Sequence, residues 1–243
     1  MLLEAGLPRP GGPRRAKSAG DWVTDTDEAS EDAILEVLAR LSPGVAVLAE
    51  EAGGERAGTM WAVDPLDGTS NFTRGLPVVG ISVALIDAGT PVAGVVLAPF
   101  LGLEFSAAPG DGATLNGDRL PRLGPGNPAA AVVATGFPFR RKERLPRYLR
   151  ALGSALTDFE DLRRPGAAAL DLAWTAAGTF DGFFELGLGT WDVAGGAALV
   201  LACGGVVSDW DGGDGWLVSG DVLAAPAAVH AVLLKIASES LDR

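Results

Sequence analysis

A chain of 243 residues can bury a substantial core, as one large domain or two closely joined ones, and its net charge of −12 speaks against a nucleic-acid backbone as the main partner. No apolar run reaches the roughly 20 residues of a membrane span, and the first residues lack the basic and long apolar regions of a secretory signal. One cysteine, Cys203, allows no internal disulfide. One histidine, His230, leaves little room for a Ser-His-Asp triad, a Cys-His pair or a histidine-rich zinc site. The expectation is a cytoplasmic protein without nucleic-acid or membrane partners; if it is a hydrolase, its chemistry comes from carboxylates and metal ions.

Residues 1–20 are rich in Pro, Gly and Arg and are expected to form a flexible arm, with Leu2 and Leu3 as the stub of a helix. Residues 21–27 read as a short extended or turning piece. An acidic first turn, then Ile34, Leu35, Val37, Leu38 and Leu41 at helical spacing, predict a helix over 28–41 that Ser42-Pro43-Gly44 stops. A strand at 45–49 runs into Glu50-Glu51, and Gly53-Gly54 turns the chain back to a strand at 59–63. That strand is expected to stop at Asp64, because Pro65 has no N–H and biases the residue before it away from the helical region.

Strands at 78–86, 91–97 and 103–107, with a hairpin signal at Leu115-Asn116-Gly117-Asp118, imply a largely antiparallel sheet. After a Pro/Gly-rich patch at 122–128 the pattern changes. Strands are expected at 131–135, 159–162, 180–186, 205–208, 215–218 and 222–225, and helices at 143–156, 166–177, 192–202 and 227–237. Residues 21–125 therefore read as a metal-binding subdomain and 126–243 as an α/β subdomain completing one compact unit. The basic runs at 9–17 and 140–150 read as a solvated loop and a helix face, with phosphate or partner contact as the alternative, and His230 reads as a helix-end residue. Residues 209–215 read as a glycine-rich hairpin turn and not a Ca²⁺ loop, since Gly220 stands where such a loop carries Glu.

The chemistry concentrates at residues 61–72. Asp64 and Asp67 lie three residues apart, separated by Pro65-Leu66 and followed by Gly68-Thr69-Ser70. The turn aims two carboxylates and the Leu66 carbonyl at one point. Gly68 permits the tight turn, and the helix start at Thr69 offers N–H groups that suit an anion. Hard oxygen ligands beside a phosphate cradle describe a Mg²⁺ site for phosphoryl chemistry. Asp27, Glu50 and Asp192 stand at the ends of other predicted elements. Brought together, such carboxylates resist ionisation unless cations offset their repulsion.

Residues 61–72 and, later, Trp191-Asp192-Val193-Ala194-Gly195-Gly196 resemble the two signatures of the inositol monophosphatase family. The likeness continues in Asp21-Trp22-Val23-Thr24 with Asp27, in Glu50-Glu51, in Thr135-Gly136-Phe137-Pro138 and in Arg163-Arg164-Pro165-Gly166-Ala167-Ala168, and covers the chain from about Lys17 onward. The resemblance implies a layered αβαβα sandwich of the sugar-phosphatase type, here with the first N-terminal helix largely missing, and a homodimer. It implies two or three Mg²⁺ ions: Glu50, Asp64 and the Leu66 carbonyl for one, Asp64, Asp67 and Asp192 for a second, and Glu50 for a weaker third. Thr69 and Asp27 would orient the attacking water, with Glu50 counted among the catalytic residues. Gly68 and Thr69 would hold the phosphate, and Asp67, Ala168 and Glu185 the alcohol.

The implied activity is a lithium-sensitive phosphomonoesterase for a small polyol or sugar phosphate, inositol 1-phosphate first. Fructose 1,6-bisphosphate, histidinol phosphate, 3′-phosphoadenosine 5′-phosphate and NADP are alternatives that the metal ligands do not separate. A weakly active binding or regulatory member is the alternative of another class. The chain departs from the family pattern in Ala49 for a glycine and Ala167 for a serine or threonine, and Lys17 takes the place of a mobile-loop lysine.

Overall fold

The computed structural model describes residues 2–8, 15–18 and 21–241. The expected arm at 1–20 and the basic run at 9–17 fall partly outside the described residues, and so does the Lys17 side chain. One helical turn, α1 (Leu2–Ala5), stands at the N-terminus, and Leu2 packs beside Leu66, Phe72 and Val79. Two short strands, β1 (Arg15–Ser18) and β2 (Asp21–Val23), pair antiparallel. Helix α2 (Asp25–Leu41) begins three residues earlier than its apolar spacing predicts. Thr24 caps it: the Thr24 hydroxyl accepts from the Thr26 N–H, while the Asp27 carboxylate reaches back to the Thr24 N–H at 2.9 Å.

Strand β3 (Ala46–Ala49) pairs in parallel with β4 (Thr59–Asp67). Gly54, at φ +135°, lies so close to β3 that a side chain would collide with the Val47 carbonyl oxygen. The chain thus doubles back along β3 before Thr59 starts a parallel strand. β4 does not stop at Asp64, contrary to expectation. Its ladder pairs Asp64 with Ser82 and Asp67 with Gly80, three steps against two, so the proline sits in a bulge where no ladder N–H is needed. After α3 (Thr69–Phe72), strands β5 (Gly80–Asp87), β6 (Thr90–Ala98), β7 (Leu103–Ala108), β8 (Gly112–Leu115) and β9 (Asp118–Arg119) extend the sheet as an antiparallel meander in chain order. Asn116 and Gly117, both at positive φ, form the last hairpin turn.

A second sheet follows, from β10 (Val132–Thr135), α4 (Leu145–Asp158), β11 (Asp161–Arg163), α5 (Ala168–Ala176), β12 (Gly182–Glu185), α6 (Thr190–Ala202), β13 (Val206–Ser208), α7 (Trp216–Ser219), β14 (Val222–Ala225) and α8 (Ala227–Glu239). Its order is β11-β10-β12-β14-β13, with β10 parallel to both neighbours and β14 antiparallel to its own. The strand expected at 215–218 is α7 instead. Trp216 and Leu217 are adjacent and both buried, which a strand cannot achieve by alternation, and Gly220 at φ +69° closes the turn. The preceding 209–215 segment is a turn, but it leads into this helix and not into a hairpin. The Asp209 carboxylate accepts from the N–H groups of Asp211, Gly213 and Gly215 and closes the loop on itself.

The elements stack as a layered αβαβα sandwich. α2 covers the first sheet through Leu38, Ala49 and Val63. α5 and α6 lie between the sheets in the largest core, and α4 with α8 covers the second sheet around Tyr148, Phe184 and Leu233. α6 lies directly on β6: a Cβ at Gly94 would come within 2.7 Å of the Gly195 carbonyl oxygen and 2.9 Å of the Ala198 Cβ. This contact fixes where the N-terminus of α6, and with it Asp192, meets the end of β4. His230 lies in the first turn of α8, buried, with Nε2 2.8 Å from the Ser208 hydroxyl; burial pushes its pKa down. It ties α8 to β13.

Candidate metal centre and active site

Three carboxylates from two distant parts of the chain converge where β4 ends. Oxygens of Asp64, Asp67 and Asp192 lie within 4.8 Å of one another, and all three residues are buried. Asp64 and Asp67 flank the β4 bulge, which turns both side chains toward α6. The Leu66 N–H donates to Asp64 Oδ1 at 2.9 Å, whereas Asp64 Oδ2 is buried without a hydrogen-bond partner among the described residues. Asp67 Oδ2 accepts from the Ala169 N–H at the start of α5 at 2.7 Å. Asp192, in the first turn of α6, accepts from the Gly189 N–H at 2.5 Å.

The electrostatics follow from this crowding. Burial, then Glu50, Asp67 and Asp192, hold the Asp64 carboxyl well above the usual range. Burial and then Asp192 push Asp67 up to about 7, against the stabilising N–H groups of Ala169 and Ala168. A buried carboxylate oxygen with no donor is a costly group in a folded chain. Here it belongs to a set of hard, mutually repelling oxygens, and a divalent cation answers both conditions. The donor set fits Mg²⁺.

Thr69 stands next to this cluster. Its hydroxyl lies 3.0 Å from Asp27 Oδ1 and 3.1 Å from the Leu66 carbonyl oxygen, so its one hydrogen is held by either acceptor. Asp27 is fully buried, and burial raises its pKa even against the hydrogen bonds from Thr24 and Thr69. Gly68, at φ +87°, makes the turn between β4 and α3; a Cβ there would meet the Val78 carbonyl at 3.0 Å and the Ala167 Cβ at 3.3 Å. Ala167 is therefore a packing residue behind that turn. Glu50, at the end of β3, faces the same cavity but is not one of the three converging carboxylates. One of its oxygens lies 3.7 Å from the Arg140 guanidinium.

The cavity above these groups holds about 150 Å³. Ala168 and Glu185 line it together with Thr69. Glu185 sits where a side chain at Gly136 would collide with its carboxyl, so the bare Gly136 makes room for it. Burial, then Asp192, pushes the Glu185 carboxyl up to about 8, while Arg164 and Arg140 pull it down.

The cavity also contains residues that the sequence reading did not assign to it. Arg140 and Arg141 belong to the run read as a solvated loop and helix face, yet both line the cavity, because the loop after β10 folds over it. Farther along that run, Arg147 stacks over Trp210 and Arg150 donates to the Ser240 carbonyl at 2.8 Å, as a helix-face reading expects. Arg164 lies against the T-shaped pair of Phe137 and Phe139, with its guanidinium carbon 5.3 Å and 5.8 Å from the two ring centres. Asp171, one turn into α5, lies behind the cavity lining, buried with Oδ1 unpartnered among the described residues, and burial followed by Asp67 and Glu185 pushes its pKa well up. Its sequence signal was available: one acid inside an otherwise apolar helix.

The fold and the cluster have counterparts. A model of the inositol monophosphatase family matches residues 9–242. The Nus factor SuhB of Pasteurella multocida is 42% identical over 224 residues, which span 90% of this chain and 84% of that protein. Among solved structures, the extragenic suppressor protein suhB of Bartonella henselae superposes with a TM-score of 0.87 at 34% identity, over 94% of this chain and 89% of that one. An IMPase of Thermotoga maritima gives a TM-score of 0.87 at 28% identity, over 98% and 91%. A family match across nearly the whole length, joined to a buried carboxylate cluster in the same sandwich, leaves no ambiguity of class: the chain belongs to the inositol monophosphatase family.

Proposed function

We propose that the protein is a Mg²⁺-dependent phosphomonoesterase for a small polyol or sugar phosphate, with inositol 1-phosphate as the first candidate. The observation that carries this reading is the convergence of Asp64, Asp67 and Asp192 around Asp64 Oδ2, which has no hydrogen-bond partner among the described residues. Asp64, Asp67 and Asp192 would hold one ion, and Asp64, Glu50 and the Leu66 carbonyl another. Bound there, Mg²⁺ supplies positive charge to a phosphoryl group and lowers the pKa of water.

The remaining chemistry belongs to the chain. With the Thr69 hydrogen directed to Asp27, the Thr69 oxygen is left as an acceptor that orients a water for attack. Gly68 and Thr69 turn backbone N–H groups toward the phosphate side of the cavity. Glu185 and Ala168 face the alcohol, where a carboxyl oxygen accepts from hydroxyl groups of a polyol. We read residues 21–125 and 126–243 as two subdomains that each furnish one wall of this cavity, and the active species as a cytoplasmic homodimer.

The name of the Pasteurella relative is that of a factor and not of an enzyme. This supports a second reading, in which a weakly active family member works through a macromolecular partner. The net charge of −12 then favours contacts with protein over contacts with a nucleic-acid backbone.

Phosphate release separates the readings. The purified protein and Asp64→Asn are assayed with Mg²⁺ or EDTA on inositol 1-phosphate, fructose 1,6-bisphosphate, histidinol phosphate, 3′-phosphoadenosine 5′-phosphate and NADP. The enzyme reading expects Mg²⁺-dependent release on at least one substrate, lost in Asp64→Asn and inhibited by millimolar Li⁺. Folded protein that releases no phosphate from any of them refutes it and leaves the partner-binding reading.

A further inference from the structure

A larger cavity lies at the other end of α6. Its volume is about 550 Å³, within the range of roughly 300–1,000 Å³ that small-molecule sites occupy. From Asp192 to Cys203 the helix runs eleven residues, so this cavity lies about 16 Å from the carboxylate cluster. It arises from small side chains. α6 is pressed onto β6 at Gly94, but toward its C-terminus it offers Ala198 and Ala202, and the turn between β7 and β8 facing it carries Pro109, Gly110 and Gly112. Leu120 and Leu201 complete an apolar wall.

The charges in this cavity run against those of the protein. The chain has 31 acidic and 19 basic residues, yet among the described residues two arginines, Arg119 and Arg122, line the cavity and no carboxylate does. Among the described residues neither guanidinium has an ion pair or a hydrogen bond. Both are seated on left-handed glycines. At Gly112 (φ +76°) a Cβ would come within 3.3 Å of Arg119 Nη2, and at Gly204 (φ +81°) it would collide with the Arg122 guanidinium. Complementing the carbonyl end of α6 accounts for Arg122. It does not account for Arg119, which sits on the sheet side of the cavity. Both residues are exposed, so the two guanidinium groups stand at the rim of the cavity, open to an anion arriving from solvent.

We propose that this cavity is a second binding site, selective for a small organic anion: a carboxylate or phosphate headgroup held by Arg119 and Arg122, with a short apolar body against Leu120, Leu201 and Ala202. Guanidinium forks match such headgroups, and the apolar wall excludes a purely inorganic ligand as the best occupant. The proposal is independent of the phosphatase reading.

Isothermal titration of the full chain tests it with three probes. Octanoate offers both parts of the ligand, inorganic phosphate the charge alone, and octanol the chain alone. Octanoate is expected to bind at least about tenfold more tightly than either, and at least about tenfold more weakly to R119Q/R122Q and to Ala202→Trp, which fills the cavity. Melting followed by circular dichroism checks that the variants fold. A second measurement needs no variant: Cys203, 2% exposed, lines the same cavity, and octanoate should slow its reaction with a disulfide thiol reagent. The proposal is overturned if wild type does not bind millimolar octanoate, if octanol binds as tightly, if R119Q/R122Q binds equally well, or if the thiol rate is unmoved at saturating octanoate.

Discussion

Asp67→Asn is expected to stabilise the metal-free protein and to weaken its response to Mg²⁺. The Asp67 carboxyl titrates at about 7 in the folded chain, against about 3.9 when unfolded. Three pK units at 1.36 kcal/mol each amount to about 4 kcal/mol. The folded pKa is the higher one, so the folded state holds its proton longer. Stability is therefore complete below about pH 4 and is lost as pH rises through about 7. Because Asp64 and Asp192 share the same proton balance, about 4 kcal/mol is a ceiling for this one group.

Asparagine removes the charge and keeps an oxygen to accept the Ala169 N–H. At about 2–4 °C per kcal/mol for a chain of this size, the variant should melt up to roughly 8–16 °C above wild type in EDTA at pH 8. It should also decline less steeply than wild type between about pH 4 and pH 7, the remaining slope coming from Asp64, Asp171 and Glu185, whose carboxyls are also raised. Added Mg²⁺ should raise the wild-type melting temperature, by about 2.7 kcal/mol of stability at a hundredfold excess over Kd, and raise that of the variant less. Thermal melts followed by circular dichroism at both pH values, with EDTA or Mg²⁺, read all of this. If metal-free Asp67→Asn melts below wild type at pH 8, or wild type does not lose stability with rising pH, carboxylate repulsion is not what shapes this site.

Thr69→Val keeps the side-chain shape but deletes the hydroxyl shared between Asp27 and the Leu66 carbonyl; kcat should fall about a hundredfold or more, with the Mg²⁺ affinity measured by calorimetry little changed. Gly136→Ala places a methyl group where the Glu185 carboxyl rests. Since that carboxyl ends a flexible side chain, KM should rise about tenfold while the melting temperature stays near that of wild type. Gly94→Ala meets backbone instead, at the Gly195 carbonyl, and should cost about 1–3 kcal/mol in urea unfolding.

Much of the fold was legible because its signals are local. Helical spacing from Ile34 to Leu41 marked α2, Asn116-Gly117 marked the β8–β9 turn, and the change from meander to alternating elements marked the passage between the sheets. Where a local rule met a tertiary demand, the tertiary demand prevailed. Pro65 was a reason to end β4, yet the neighbouring β5 carries the ladder past it through a one-residue bulge. Trp216 and Leu217 looked like a short strand, but packing beneath α6 buries both at once and makes a helical turn.

By itself the sequence determined the kind of chemistry available: one histidine and one cysteine, and acidic residues at the ends of several elements. It also determined the family, because the Asp64–Asp67 turn and the Trp191-Asp192 helix start are contiguous motifs whose geometry is largely set by their own glycines and proline. The tertiary structure brings Asp192 to Asp64 and Asp67, as the resemblance implied, and it alone decided that Arg140 and Arg164 join the same cavity and that Arg119 and Arg122 line a second one. The reason is physical. Convergence of residues more than a hundred positions apart depends on how closely α6 can approach β6, which the bare Gly94 and Gly195 permit, and on how two sheets stack across α5 and α6. That distance is a property of the packed core and of no single stretch of chain.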